Sequence, residues 1–319
     1  MLSSAVSATR LKQKGMELGF HKIGIAAVTQ PPQTTPPADS NSAQRLQQWL
    51  EKGFHADMAW MTNPQRQDIT QVMPGVQTVI SVALNYYTPH PHSNAPEDAK
   101  ISRYGWGRDY HKVLLRRLKA LARWLEAQDP DIKTRVYVDT GPIQEKAWAQ
   151  RAGLGWIGKH SNLITRDYGS WVFLGELLTN LALPSDKPHT EHCGTCTRCI
   201  EACPTQAIAA PFVVDANRCI AYHTIENRSA EIPEAIATRM QGWVAGCDIC
   251  QDVCPWNQRF AQTTDVSDFQ PYPWNLRPKR VALAMLTAAD WDYRFRASAL
   301  RRIRHDMMQR NARASMQKT

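Results

Sequence analysis

Eight cysteines, all between Cys193 and Cys254, constrain this chain more than any other feature of its sequence. They occur as Cys193-x2-Cys196-x2-Cys199-x3-Cys203-Pro204, then Cys219 alone, then Cys247-x2-Cys250-x3-Cys254-Pro255. In such arrays the closely spaced thiolates bind one iron–sulfur cluster, whereas the cysteine before the proline ligates the other cluster. The predicted ligands of one [4Fe–4S] cluster are Cys193, Cys196, Cys199 and Cys254. Those of the second are Cys203, Cys219, Cys247 and Cys250, so every cysteine is used and the module should transfer electrons.

Other uses of these cysteines fit the spacing less well. Disulfides are disfavoured in a reducing compartment, and paired zinc sites do not need two Cys-Pro endings. Radical chemistry with S-adenosylmethionine needs a further cysteine three positions beyond Cys203 or Cys254, where the chain has Gln206 and Asn257. That chemistry is excluded by the spacing.

The remaining composition is that of a folded protein with about two domains. The chain has 319 residues, 43% of them hydrophobic, with eleven tryptophans. We predict an α+β fold with an α/β layered domain at 1–188, a docked ferredoxin-like module at 189–260 and a short basic helical segment at 261–319. The N-terminus shows no export signal and Pro74 and Gly75 interrupt the longest uncharged stretch, so we expect a cytoplasmic monomer without a membrane segment.

Hydrophobic periodicity predicts strands alternating with helices in the first domain. The predicted helices are 3–18, 42–52, 110–127 and 142–152, and the predicted strands are 22–28, 78–84, 135–139 and a pair around the turn at 168–170, with a proline-rich loop at 31–37.

Two motifs do not identify ligands. The pattern G-x-G-x-x-G occurs at Gly153, Gly155 and Gly158, but it follows a helix instead of the strand that a dinucleotide site needs. The sequence Asp109-Tyr-His111 begins like the D-x-H-x-x-G loop of proteins that bind cobalamin through a histidine, but Leu114 stands at the glycine position.

Asp139 is a candidate acid because it follows the apolar residues Val136 to Val138 at the end of a predicted strand. Ligand chemistry is often placed at such strand ends, and burial could raise the pKa of the carboxyl enough for it to donate a proton. The same residues, followed by Thr140 and Pro142, also describe a helix N-cap. From the residues alone the cap is favoured.

Most of the net charge of +9 lies at the C-terminal end, where eleven basic and three acidic residues follow position 276. A concentrated basic surface favours a polyanion such as nucleic acid, but a solvated helix that aids solubility explains the charge equally well.

Several segments together resemble the epoxyqueuosine reductase family. They are the cysteine array, Val138-Asp-Thr-Gly-Pro142, Gly155-Trp-Ile-Gly-Lys-His-Ser-Asn-Leu-Ile164 and Cys250-Gln-Asp-Val-Cys-Pro-Trp-Asn257. The resemblance spans most of the chain. It implies a cytoplasmic enzyme that uses cobalamin and two [4Fe–4S] clusters to reduce the epoxide of epoxyqueuosine, at the tRNA wobble position, to queuosine.

The resemblance also implies roles for individual residues. Asp139 matches the proton donor and contacts the corrinoid, which should lie between the two domains. The segments that resemble corrinoid-contacting regions contain Arg66, Ser102, Leu163 and Gln251, for which ordinary packing is an equal alternative. Arg228 lies in a segment resembling one that meets tRNA, and the chain stops before the longer helical region common in the family.

Three functions are compatible with these features. The first is the tRNA-modifying reductase, supplied with electrons by a low-potential donor such as a ferredoxin or flavodoxin. The second is a corrinoid enzyme related to reductive dehalogenases that acts on a small molecule. The third is a two-cluster electron carrier, which leaves the large first domain unexplained.

The crossed ligand set makes a testable prediction. Cys254→Ser should disrupt the cluster that Cys193, Cys196 and Cys199 bind and lower the iron content, although these residues are far apart in sequence. Electron paramagnetic resonance of the reduced protein distinguishes the two clusters. If the variant loses the cluster bound by Cys247 and Cys250 instead, the crossing is wrong.

Overall fold

An antiparallel sheet and the helices on its two faces form the first part of the protein. The structure is a computed structural model that describes residues 6–28 and 42–317. The strands are β1 (Lys22–Ala27), β2 (Thr78–Asn85), β3 (Lys100–Ile101), β4 (Thr134–Tyr137), β5 (Trp156–Ile157), β6 (Leu163–Ile164), β7 (Val172–Thr179), β8 (Ile208–Ala210), β9 (Val213–Val214) and β10 (Trp243–Ala245). The helices are α1 (Ala8–Glu17), α2 (Ser42–Glu51), α3 (Ile69–Val72), α4 (Tyr110–Glu126), α5 (Glu145–Arg151), α6 (Arg198–Ala202), α7 (Ile220–Ile225), α8 (Glu234–Ala237), α9 (Ile249–Asp252), α10 (Pro255–Phe260), α11 (Pro273–Leu276), α12 (Arg280–Ala284), α13 (Ala288–Phe295) and α14 (His305–Ala314).

The order of the main sheet is β1-β2-β7-β4, and each neighbouring pair is antiparallel. Strand β2 is buried along its whole length because both faces of the sheet are covered. On one face Val82 and Leu177 pack with Leu114 and Leu118 of α4, and on the other face Leu178 packs with residues of α5. The predicted α+β class is confirmed.

The predicted elements agree with the structure in position, but two boundaries near Asp139 were wrong. The strand predicted to end at Asp139 ends at Tyr137, and the helix predicted from Pro142 begins at Glu145. The first residues of the helix predicted at 3–18 and the whole loop at 31–37 lie outside the described residues. No described helix is long and apolar enough to cross a membrane.

A buried polar network docks the cysteine module onto the sheet domain. Asn257 accepts a hydrogen bond from the backbone N–H of Ser170 at 2.6 Å and donates to the Ser170 hydroxyl at 2.8 Å. The same amide donates to the backbone carbonyl of Gln251 at 2.8 Å. Gly169 is required here, since its φ is 59° and a Cβ would lie 2.1 Å from Asn257 Oδ1.

The C-terminal segment packs as part of the core. Phe295, Ile303 and Met308 are buried against Ile101, and strand β3 pairs in parallel with β10 of the module. A solvated helix is therefore wrong as a description of the whole basic end.

Arg310 is the clearest case of a basic residue with a structural role. Its side chain is buried and donates hydrogen bonds to the carbonyls of His223, Asn227 and Ser229 and to the side chain of Asn311. The guanidinium thereby satisfies the carbonyls of two buried residues, His223 and Asn227, as well as that of the exposed Ser229.

We predict that Arg310→Ala lowers the free energy of unfolding by about 3 kcal/mol, because several buried acceptors lose their donor. Arg296→Ala, which removes only an exposed pair with Asp292, is the matched control and should cost at most about 0.5 kcal/mol. Anaerobic denaturant unfolding measures both. Equal losses would contradict the structural role of Arg310.

Candidate active site

The two Cys-Pro sequences of the cysteine module adopt the same backbone conformation. Cys203 has φ −70° and ψ 109°, and Cys254 has φ −70° and ψ 122°. A following proline disfavours the helical region, so each cysteine ends its turn in an extended conformation. Cys254 thereby lies outside the helical turn that contains Cys250.

The structure brings Cys254 and Cys193 into one apolar cluster with Trp156, Ile164 and Trp256. The indole nitrogen of Trp156 is buried there and has no oxygen or nitrogen partner. Hydrogen bonds to cluster sulfur are a common use of such donors, so the site fits an iron–sulfur cluster.

The second set of cysteines lies around α7 and α9. Burial, and then the neighbouring Cys219 thiol, raises the pKa of Cys250, and Cys250 and Cys219 also contribute to the raised pKa of Cys247. Among the described residues, no three potential ligands converge as a single metal ion requires. A cubane cluster does not require this convergence, because each of its irons takes one protein thiolate.

Asp139 lies in the loop between β4 and α5, and it does not cap the helix. The N-cap of α5 is Gln144, and Asp139 has a φ of 58° in the left-handed region. Its backbone N–H donates to Glu145 Oε1 at 2.5 Å, which stabilises this conformation. The side chain is 58% exposed and available to a ligand. The helix-cap interpretation is therefore wrong, and the strained backbone presents the carboxylate instead.

The expected rise in the pKa of Asp139 was also wrong. Burial raises this pKa, but the hydrogen bond from His111 and the positive charges of His111 and Lys146 outweigh burial and lower it. Burial and the charge of Asp139 raise the pKa of Glu145 to about 8. At neutral pH Asp139 is therefore ionised, while the neighbouring Glu145 retains its proton.

Positive groups surround the Asp139 loop. Arg66 donates to the carbonyl of Ile143 at 3.4 Å, and its backbone carbonyl accepts from Gln144 at 2.8 Å. Lys146 donates to the carbonyl of Ser161 at 2.8 Å. Sequence reasoning found Arg66 through the resemblance but missed His111, Glu145 and Lys146. The Asp109-Tyr-His111 motif was the available signal for His111. Glu145 and Lys146 lie in a segment whose pattern predicted a helix and gave no sign of a functional role.

The other predicted corrinoid residues have partners within the protein. Ser102 donates to Asp248 at 2.5 Å, and Gln251 accepts from Ser170 at 2.8 Å. Leu163 is buried in the core cluster beneath α5. The hydrogen bonds of Ser102 and Gln251 join the sheet domain to the cysteine module, where the resemblance locates the corrinoid.

Arg228 lies on an exposed basic surface together with Arg302 and Arg304. It donates to the carbonyl of Arg302 at 3.0 Å, and Arg302 forms two hydrogen bonds with Glu226, at 3.0 and 2.6 Å. The charge of Asp139 contributes to the raised pKa of Arg302, after the hydrogen bond with Glu226. Arg302 on this surface is therefore within electrostatic range of Asp139.

Comparisons with known proteins now identify the family. The profile "Epoxyqueuosine reductase QueG, DUF1730" matches residues 66–140, and "4Fe-4S double cluster binding domain" matches residues 192–257. The epoxyqueuosine reductase of Synechocystis is 63% identical over 92% of this chain and 100% of its own length. The chain belongs to the epoxyqueuosine reductase family.

More distant members agree. The epoxyqueuosine reductase of Leadbetterella byssophila is 40% identical over 94% of this chain and 95% of its own length. A crystal structure of epoxyqueuosine reductase with an epoxyqueuosine-modified tRNA stem loop has a TM-score of 0.86 and 28% identity, over 96% of this chain and 80% of that one. A Bacillus subtilis structure, described with its catalytic aspartate loop swung out of the active site, has a TM-score of 0.85 and 27% identity over the same shares.

As a member of this family, the chain is an oxidoreductase with a double [4Fe–4S] cluster domain, and the resemblance implies a corrinoid as its further cofactor. The residues beside Asp139 fit a corrinoid, whose rim of amides needs hydrogen-bond partners. Arg66 and Lys146 supply donors, and the Nε2 atom of His160 is buried without a partner. Burial, and then the charge of Lys146, lowers the pKa of His160 to about 4, so the ring is neutral. Its Nδ1 accepts from the backbone N–H of Asn162 at 3.2 Å, so Nε2 carries the proton and is a free donor.

Proposed function

We propose that this protein reduces the epoxide of epoxyqueuosine in the tRNA anticodon to give queuosine. The exposed Asp139 carboxylate, held in a left-handed loop next to a basic surface, carries this proposal. The solved relative that binds an epoxyqueuosine-modified stem loop supports the substrate. The family membership favours this function over the dehalogenase and the electron carrier.

Opening the epoxide and releasing its oxygen as water takes two electrons and two protons. The clusters and the cobalamin supply the electrons when bound. Asp139 takes up a proton and delivers it to the oxygen as the acid, since its side chain is exposed. The catalytic aspartate loop named for the Bacillus subtilis enzyme supports this role.

The cofactor ligands follow from the same proposal. One cluster takes Cys193, Cys196, Cys199 and Cys254, and the other takes Cys203, Cys219, Cys247 and Cys250. The corrinoid contacts segments that contain Arg66, Ser102, Asp139, Leu163 and Gln251. The corresponding domains are 1–188, 189–260 and 261–319.

Arg228 and Arg302 bind the phosphates of the anticodon arm. Single-stranded loops can place a base in a pocket while basic side chains hold the backbone. The charge of Asp139 acts on Arg302, and Arg228 donates a hydrogen bond to the carbonyl of Arg302. We further propose that a ferredoxin or flavodoxin supplies the electrons and that the protein acts as a cytoplasmic monomer.

Asp139→Asn tests the role of the acid. The amide keeps the size of the side chain and leaves the backbone N–H bonded to Glu145, but it cannot deliver a proton. Turnover of epoxyqueuosine in tRNA should fall by about 10²–10⁴, with both clusters, cobalamin content and tRNA affinity retained. Nearly normal turnover would remove Asp139 from the mechanism.

Arg302→Gln tests the basic surface without disturbing the packed C-terminal segment. It should weaken tRNA binding and reduce the slope of log affinity against log salt by about 0.7–1. Arg123→Gln is the matched control, because this exposed residue lies about 18 Å along α4 from His111. Binding assays at several salt concentrations measure the slope for both variants. Equal slopes for Arg302→Gln and Arg123→Gln would show that Arg302 aids solubility and does not bind tRNA.

A further inference from the structure

The Asp109-Tyr-His111 motif, which no function above explains, lies beside the proposed catalytic acid. Asp109 is the N-cap of α4, and its Oδ1 accepts from the backbone N–H of His111 at 3.1 Å. The same oxygen lies 2.7 Å from Nδ1 of the His111 ring. The other ring nitrogen, Nε2, lies 3.2 Å from Oδ2 of Asp139. One imidazole thus bridges the two carboxylates.

This bridge determines the protonation of the ring. Ionised carboxylates only accept hydrogen bonds, so both ring nitrogens of His111 must donate. Only the imidazolium carries a proton on both nitrogens. Burial opposes this charge, but the hydrogen bonds to Asp109 and Asp139 outweigh it and raise the pKa of His111 to about 9.

The ring is also held in place independently of its charge. Tyr110 stacks on His111 with ring centroids 4.0 Å apart, and Tyr110 stacks in turn on Phe173 of β7 at 4.1 Å. The His111 side chain is 29% exposed, so solvent can return a proton to it.

Other charged and titratable groups near this bridge come from several elements. The ones that interact electrostatically with Asp139 or His111 are Glu145, Lys146, Tyr104, Tyr110, Arg66 and Arg302. Of these, Tyr110 is a further hydrogen-bond partner of the Asp139 carboxylate, whereas the carboxyl of Glu145 accepts from the backbone N–H of Asp139. A buried tyrosine hydroxyl loses its proton only at high pH, and its own pKa here is raised by burial, so His111 is the better source.

We infer that His111, oriented by Asp109, is the positioning residue that supplies protons to Asp139. The Nε2–H proton moves to Asp139 Oδ2, Asp139 passes it to the epoxide oxygen, and solvent returns a proton to Nε2. A second passage along the same route delivers the second proton, and the oxygen leaves as water. Asp109 stays ionised and keeps the Nδ1–H bond throughout. The electrons come from the reductant of the proposed reaction, on which this inference rests.

The first test measures the titration of His111 by imidazole nitrogen NMR in the reconstituted holoenzyme, with His111→Gln to assign the signal. We expect His111 to titrate above pH 8. In Asp109→Asn its pKa should fall by about one to three pH units, since a stabilising negative charge is lost. Titration near pH 6.5 in the unsubstituted protein would overturn the inference.

The second test is the dependence of turnover on pH. Asparagine still caps a helix, so Asp109→Asn should fold normally. The alkaline limb of its profile should move to lower pH, with turnover at pH 8.5 falling about tenfold and at pH 6 hardly changing. An equal loss at every pH would indicate a structural role and would overturn the relay.

Asp265→Asn is the matched control. It removes a carboxylate that lies 2.8 Å from another histidine, His21, and should leave the pH profile unmoved. Different results would contradict the proposed function and the relay. An active Asp139→Asn variant contradicts the proposed role of Asp139 as the acid. An ordinary pKa for His111 beside an inactive Asp139→Asn variant contradicts only the relay.

Discussion

The docking of the cysteine module onto the sheet domain depends on the buried amide of Asn257. This side chain satisfies the backbone and hydroxyl of Ser170 and the carbonyl of Gln251 at the same time. A buried network of this kind is strong only when all its groups are paired. The three hydrogen bonds therefore specify one orientation of the module against the sheet domain. Because Asn257 follows Cys254 by three residues, the same contact fixes the end of the cluster-binding segment against the turn at Gly169.

The proposed active site is built from α4, α5 and the loop between β4 and α5, and its central residue is charged and exposed instead of neutral and buried. Asp139 is exposed, ionised and surrounded by groups that hold protons or positive charge. Glu145 keeps its proton because it is buried beside that negative charge, and His111 keeps its proton because two carboxylates face it. Asp139 is thus exposed to an incoming substrate, while the protons are held on the neighbouring side chains of His111 and Glu145.

The C-terminal segment combines two roles that its charge alone does not separate. Arg310 is buried and satisfies backbone carbonyls of the module, whereas Arg302 is exposed and paired with Glu226 near Asp139. Part of the positive charge therefore holds the fold together, and part of it forms a surface suited to phosphate. The apolar residues between them, such as Ile303, explain why this short segment is ordered against β3 and β10.

The sequence by itself determined the features that depend on local spacing. Cysteine intervals and the two Cys-Pro endings predicted a double cluster module, and hydrophobic periodicity predicted the long elements such as α4 and β2. Both signals lie in the spacing of residues along the chain, so they can be recognised without knowledge of tertiary contacts. The resemblance added the family, which the comparisons confirm.

Only the tertiary structure decided how Asp139 is used. Its neighbours His111 and Glu145 come from α4 and α5, and the pKa of a carboxyl depends on such through-space charges more than on adjacent residues. For the same reason the sequence favoured a helix cap that the left-handed φ of Asp139 excludes. The different roles of Arg310 and Arg302 likewise depend on the fold. Both are arginines of the basic end, but Arg310 is buried and Arg302 is exposed.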